Sequence, residues 1–230
     1  MAALKFVEKV LKSHPKIRLV ELQFNVEFKT GRHSVNRELV IEEVSRVFSG
    51  LENKLPVETL TIQSFLNEQL LMSVLPHLVP GTLRKLYLVN TVSRGRIDFS
   101  RTVKTEQWKQ AKMLYAHNCL SICLEDTDHF EYMEYKVKEL NVEDVKRIVE
   151  NILRENGWKQ RSICTDEYDF EAIKQYLLRF DHKLEGSNEE DDDADTLTMT
   201  ISRDGYECMV HLDRRVPRLI FERIDNESVP

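Results

Sequence analysis

The 230-residue chain has only four cysteines, Cys119, Cys123, Cys164 and Cys208. That is too few, at too loose a spacing, for the disulfide framework of a small secreted domain. A reducing setting, cytoplasmic or nuclear, is therefore expected. No stretch approaches the ~18 apolar residues that cross a bilayer, so no membrane is expected among its partners. Lys5, Glu8, Lys9 and Lys12 interrupt the residues after Met1, which argues against a secretory leader. A glycine-rich phosphate loop, a His-Glu-x-x-His helix and a Gly-x-Ser-x-Gly elbow are all missing. The chain is read as having no catalytic residues, no metal site and no cofactor.

Positive charge is also scarce once its distribution is considered. The formal charge is −6, but Glu185, Glu189, Glu190, Asp191, Asp192, Asp193 and Asp195 crowd one short stretch without Lys or Arg. Setting those seven aside leaves the remainder at a formal +1. A body so nearly neutral lacks the basic bias of a dedicated nucleic-acid binder. The clusters Arg94-Gly95-Arg96 with Arg101 and Lys104, and Arg214-Arg215 with Arg218, carry no interleaved aromatics. They are read as solvated loops, which makes nucleic acid an unfavoured partner.

What the chain has is rhythm. Leu83-x-x-Leu86-x-Leu88 returns with other apolar residues as Val57-x-x-Leu60-x-Ile62 and Phe130-x-x-Met133-x-Tyr135. Helical patterns lie between these runs. Ser34–Phe48 carries Leu39, Val40, Val44, Val47 and Phe48 on one side, and Asn67–Leu78 carries Leu70, Leu71, Val74, Leu75 and Leu78. Ala2–Ser13 reads as an opening helix with Leu4, Val7 and Leu11 inward, and Ile17–Phe28 as the strand after it. Thr105–Lys112 is a short helix capped by Thr105 and anchored by Trp108. Met113–Leu124 and Phe130–Val137 are strand regions. Asn141–Asn156 is the clearest helix, capped by Asn141 and ended by Gly157, and Tyr168–Phe180 is the last.

Strands alternating with helices at a loose period of roughly 25–30 residues suggest an α/β solenoid of the leucine-rich-repeat kind. Beyond the acidic segment the period changes to two. Leu197, Met199 and Ile201 face one way, and Thr198, Thr200 and Ser202 the other. Asp204-Gly205 marks a hairpin, and Leu219–Ile224 adds a third strand. The expectation is a single domain over residues 1–230. Helix–strand repeats fill 1–184, an acidic mobile loop spans 185–195, and an antiparallel meander over 196–224 closes the solenoid.

Sharper readings of single residues weaken on inspection. His117, Cys119 and Cys123 share a strand face, but the spacing is not that of a zinc knuckle, so buried thiols are preferred. Glu143-Asp144 lies in a first helical turn, where the helix dipole favours carboxylates without any acid–base role.

Three segments add what periodicity cannot supply. Thr105-Glu106-Gln107-Trp108-Lys109-Gln110-Ala111-Lys112 resembles the Glu-Gln-Trp-Lys-x-Ala-Lys signature of the nematode FTH domain, the F-box-associated domain of worm F-box proteins. His129-Phe130 leading into Asn141-Val142-Glu143-Asp144-Val145 is similar to that family's His-Phe strand and Thr-x-Glu-Asp-Val helix start. Leu75-Pro76-His77-Leu78-Val79-Pro80-Gly81-Thr82-Leu83 is similar to its Leu-Pro-x-Leu-x-Pro-Gly-Thr-Leu junction. The resemblance runs from about Leu4 to Ile224. It implies a protein-interaction module that selects the target of a cullin-based ubiquitin ligase, in which a preceding F-box engages a Skp-type adaptor.

Met1 opens on the first helix of the domain, so no F-box is expected ahead of it. A stand-alone binder that sequesters its target, and an RNA-associated module, are the alternative readings. Any partner surface is expected on the strand face opposite the leucines, at Lys85, Tyr87 and Val89 with Thr59, Thr61 and Gln63 beside them.

Overall fold

A computed structural model describes residues 8–11, 13–14, 17–25, 37–64, 67–90, 97–117, 120–121, 124–154, 157–184, 196–203 and 206–224. The chain divides into two compact units, Met1–His129 and Phe130–Pro230. Both are mixed α/β.

In the first unit the strands are β1 (Leu19–Asn25), β2 (Val57–Ser64), β3 (Lys85–Asn90) and β5 (Met113–His117), with α1 (Arg37–Ser49), α2 (Glu68–Val74) and α3 (Glu106–Gln110) between them. The four strands lie in chain order and every pairing is parallel. A separate two-residue ladder joins β4 (Ile97–Asp98) to β6 (Leu120–Ser121). Parallel neighbours require a crossover, and the helices supply it. Leu60, Ile62, Leu86, Leu88, Leu114 and Ala116 point to one side of this sheet and are buried.

Val44, Val47 and Phe48 of α1 and Leu70, Leu71 and Val74 of α2 are buried as well. Each such side chain contributes roughly 1.5–3 kcal/mol on leaving water. Leu11 is buried and Trp108 is a core anchor, both as expected. Asn67 caps α2 through Leu70 N (2.8 Å), and Thr105 caps α3 through Trp108 N (3.3 Å).

In the second unit β7 (Tyr132–Leu140) runs through α4 (Val142–Arg154) to β8 (Gln160–Tyr168), its parallel neighbour. After α5 (Phe170–Leu177) come β9 (Asp181–Leu184), β10 (Thr196–Arg203), β11 (Tyr206–Asp213) and β12 (Arg218–Arg223). These pair antiparallel in the order β8-β12-β11-β10-β9. Asn141 caps α4 through Asp144 N (2.9 Å). Gly157 follows that helix at φ +119°, a backbone region that favours glycine. Lys146 bonds Glu143, and Arg147 bonds Asp144 at 3.0 Å, so both carboxylates of the first turn of α4 are used structurally.

Several expectations are corrected. The meander is not a separate cap, because β12 pairs with β8 and extends the strand–helix–strand unit sideways. Parallel pairing therefore stops at β8, and Asp181–Leu184, expected within the repeats, is the outer strand of the meander. A repeating solenoid does not emerge: four strands run parallel in the first unit, and the second mixes directions.

Leu39 is 57% exposed, because it lies about 140° around the helix from Val44 at 3.6 residues per turn. The helix begun at Glu68 tightens to a 3-10 turn at Leu75–His77, since Pro76 has no N–H to continue it. Arg218 is not in a solvated loop. It lies on β12, where its Nε donates to Ser162 Oγ at 2.7 Å and its Nη2 to Glu134 at 3.2 Å. Thr200 takes the side that the alternation requires but is buried. Leu4, Val7, Val26, Cys119, Cys123, Arg94–Arg96, the acidic stretch 185–195 and the Asp204-Gly205 turn lie outside the described residues.

Candidate functional site

On the side of the first sheet away from the leucines, the parallel register aligns side chains into three rows. Glu21, Thr59, Lys85 and Met113 form one row across β1, β2, β3 and β5. Gln23, Thr61, Tyr87 and Tyr115 form the second, and Asn25, Gln63, Val89 and His117 the third. Neighbours within a row stand about 4.8 Å apart. The six residues expected from sequence thus come together as the central half of a twelve-residue lattice.

The lattice is not uniformly open. Glu21, Gln23 and Asn25 on the outer strand are exposed, while Thr59, Gln63, Lys85, Tyr87, Val89, Met113, Tyr115 and His117 are half-buried. Thr61 faces the right way yet is 6% exposed, and its hydroxyl donates to Glu21 Oε1 at 2.8 Å. It holds Glu21 in place and offers a partner little area. Tyr87 and Tyr115 sit with ring centroids 5.7 Å apart, and His117 stacks on Tyr115 at 4.3 Å with planes 12° apart. The result is an aromatic strip across two strands, rimmed by amides and one ammonium. Such a surface can bury area and still donate hydrogen bonds, as binding hot spots do.

Six lattice residues were missed: Glu21, Gln23, Asn25, Met113, Tyr115 and His117. The signal for them was the same period of two in segments already read as strands. Only the order of the strands was lacking.

The segments that carry the family resemblance have a different place. Gln107 is buried and its Nε2 donates to the Leu78 carbonyl at 2.7 Å. Trp108 donates through Nε1 to the Asp126 carbonyl at 2.9 Å, and His129 Nε2 donates to the Trp108 carbonyl at 2.8 Å. Phe99 packs against Trp108 at 6.2 Å between centroids. Gly81 adopts φ +80°, and a Cβ there would stand 3.1 Å from Gln110 Oε1. The Leu-Pro junction, the Gln-Trp helix and the His before Phe130 therefore interlock through buried carbonyls. They build the first unit and leave its open face to other residues.

Chemistry-bearing groups stay dispersed. Among the described residues no three His, Cys, Asp or Glu side chains gather as they would around a metal. Cys208 is buried, and its thiol pKa is pushed up to about 12 by that burial. Cys164 is half-buried on the open side of the second sheet, and burial raises its pKa too. Neither environment favours a reactive thiolate.

A family model described as the FTH domain matches residues 38–180, more than half of the chain. The match is shorter than the resemblance suggested, and strands β9–β12 fall outside it. No curated protein and no solved structure matches the chain.

Proposed function

Because the chain belongs to the FTH domain family, we propose that it is a non-enzymatic protein-interaction module and that the open face of its first sheet receives the target. The observation that carries this reading is the lattice itself. Four parallel strands in one register present polar and aromatic side chains on the side away from the buried leucines. Lys85, Tyr87, Val89, Thr59 and Gln63 would make the contact, with Tyr115 and His117 extending it, much as a leucine-rich repeat uses its strand face. In the nematode setting that the resemblance implies, the module is the target-recognition half of an F-box-type ubiquitin-ligase receptor working in cytoplasm or nucleus. Contact with a Skp-type adaptor belongs to an F-box and not to this domain. A stand-alone binder that sequesters its target would use the same face.

The test compares the chain with its Lys85→Glu, Tyr87→Ala variant, after circular dichroism shows both folded. Each is used to capture proteins from lysate for mass spectrometry. The expected result is one or more proteins retained by the chain and lost by the variant. Equal capture by both would move the interface off this face, and a salt-sensitive RNA signal alone would replace the reading. Co-elution of the purified chain with a Skp-type adaptor would contradict the assignment of that contact to the F-box.

A further inference from the structure

The second unit holds an open cleft of about 530 Å³ where β8 runs into α5, lined by Asp166, Glu167, Asp169, Phe170, Glu171 and Arg214 among others. Its floor is aromatic. Phe170 is buried, and the Arg214 guanidinium lies over its ring at 4.7 Å while Nη2 reaches Glu171 at 2.8 Å. A cation over a ring face, with a carboxylate at its edge, is the arrangement that recognises guanidinium groups. The chain is thus seen with one of its own guanidinium groups in the seat.

The seat has more acid than this occupant neutralises. Lys136 pairs with Asp166 at 2.5 Å, and Asp169 Oδ1 caps α5 through Ala172 N at 3.0 Å. Among the described residues no ion pair reaches Glu167. Arg214 stands on an exposed turn and is itself half-exposed, so its displacement opens no core.

We propose that this cleft binds an arginine side chain presented by an exposed segment of a partner protein, with Arg214 as a displaceable internal occupant. The charge balance and the aromatic floor favour guanidinium over ammonium, because only the planar group can lie flat on Phe170 while bonding a carboxylate sideways. The site is separate from the strand face of the first unit and does not depend on that face being a target surface.

The experiment is a titration of the full chain, labelled with nitrogen-15, with the peptide acetyl-Gly-Arg-Gly-amide. Acetyl-Gly-Lys-Gly-amide serves as comparison. Saturable shifts at the amides of residues 167–171 and 214 are expected, with weaker effects from the lysine peptide. Arg214→Ala should tighten binding by roughly three-fold, the weight of an exposed cation–π contact. Arg215→Ala, which removes the same charge next door, should not. Glu167→Gln with Glu171→Gln should weaken it, while Lys85→Glu, Tyr87→Ala should leave it unchanged. Equal tightening by Arg214→Ala and Arg215→Ala would mean simple charge attraction and overturn the proposal. So would shifts confined to the acidic stretch 185–195, or equal affinity for the two peptides.

Discussion

The two units each present a sheet with one apolar, buried side, and they differ in what the other side does. In the second unit the open side is tied to itself. Arg218 bonds Ser162 and Glu134, Gln160 donates to Glu222 at 2.7 Å, Lys136 pairs with Asp166, and Thr198 bonds His211 at 3.0 Å. These links join adjacent strands, except that Arg218 reaches across β8 to Glu134 on β7, so the charges of that face are spent on holding the register. Among the described residues, the corresponding face of the first unit carries the link Thr61 to Glu21. The rest is an aromatic strip with amides around it. A surface whose polar groups already satisfy one another has little to offer a partner, whereas one that sets exposed amides beside half-exposed aromatic rings has more. That contrast, more than exposure, is what supports proposing the first sheet as the surface that receives a target.

The contrast is sharpest if the buried sides behave alike while the open sides do not. Each unit has one buried tryptophan: Trp108 bonded to Asp126, and Trp158 donating from Nε1 to the Ile152 carbonyl at 2.9 Å. Replacing either by Ala should cost about 3–5 kcal/mol, through lost burial and a cavity. Urea denaturation measures it, and a loss below about 1 kcal/mol in one of them would show that its core is not built as described.

The two sides of the second sheet can be separated through their cysteines. Cys208 lies on the apolar side and Cys164 on the open side. A thiol pKa raised from 9.0 to about 12 means that the fold holds the Cys208 proton more tightly than the unfolded chain does. Its contribution to stability is therefore complete below about pH 9 and is lost as pH rises toward 12. At pH 8.5, alkylation of Cys208 in the folded chain should be on the order of a hundred-fold slower than in urea. Cys164 should react first. Equal rates for both, read by peptide mass spectrometry, would mean that the core side opens freely.

Much of this was legible in the sequence, for reasons tied to particular residues. Leucines spaced Leu83-x-x-Leu86-x-Leu88 announce a strand because burial of alternate side chains forces that period. Thr105 and Asn141 announce helix starts because the first N–H groups of a helix need an acceptor. Strand order was not legible. Nothing in Arg218–Arg223 says that it lies against β8 and not at the end of a stack, and the pairing depends on side-chain contacts far apart in sequence. The short polar strand Asp181–Leu184 gave no apolar period at all. Half of the lattice was found from β2 and β3; the other half needed to know that β1 and β5 flank them. Trp108 could be recognised as a family mark and an anchor, but its bond to Asp126 and its contact with His129 belong to the fold alone.

The smallest effect on stability is the most telling for the comparison. Lys85 stands between Thr59 and Met113 in its row, half-buried, and among the described residues it has no ion pair to lose. Glu21, the other charge of that row, is two strands away and already bonded to Thr61. Lys85→Glu should therefore change folding stability by no more than about 0.5 kcal/mol. The same reversal on the second sheet meets different surroundings. Arg218→Glu removes two charged hydrogen bonds and sets a carboxylate beside Glu134, at sites about a third exposed. A loss of about 1–2 kcal/mol is expected once solvent screening is allowed for. Thermal or urea denaturation of the two variants side by side decides the matter. If Lys85→Glu proves as costly as Arg218→Glu, the first sheet's open face is structural too, and its claim to receive a target weakens with it.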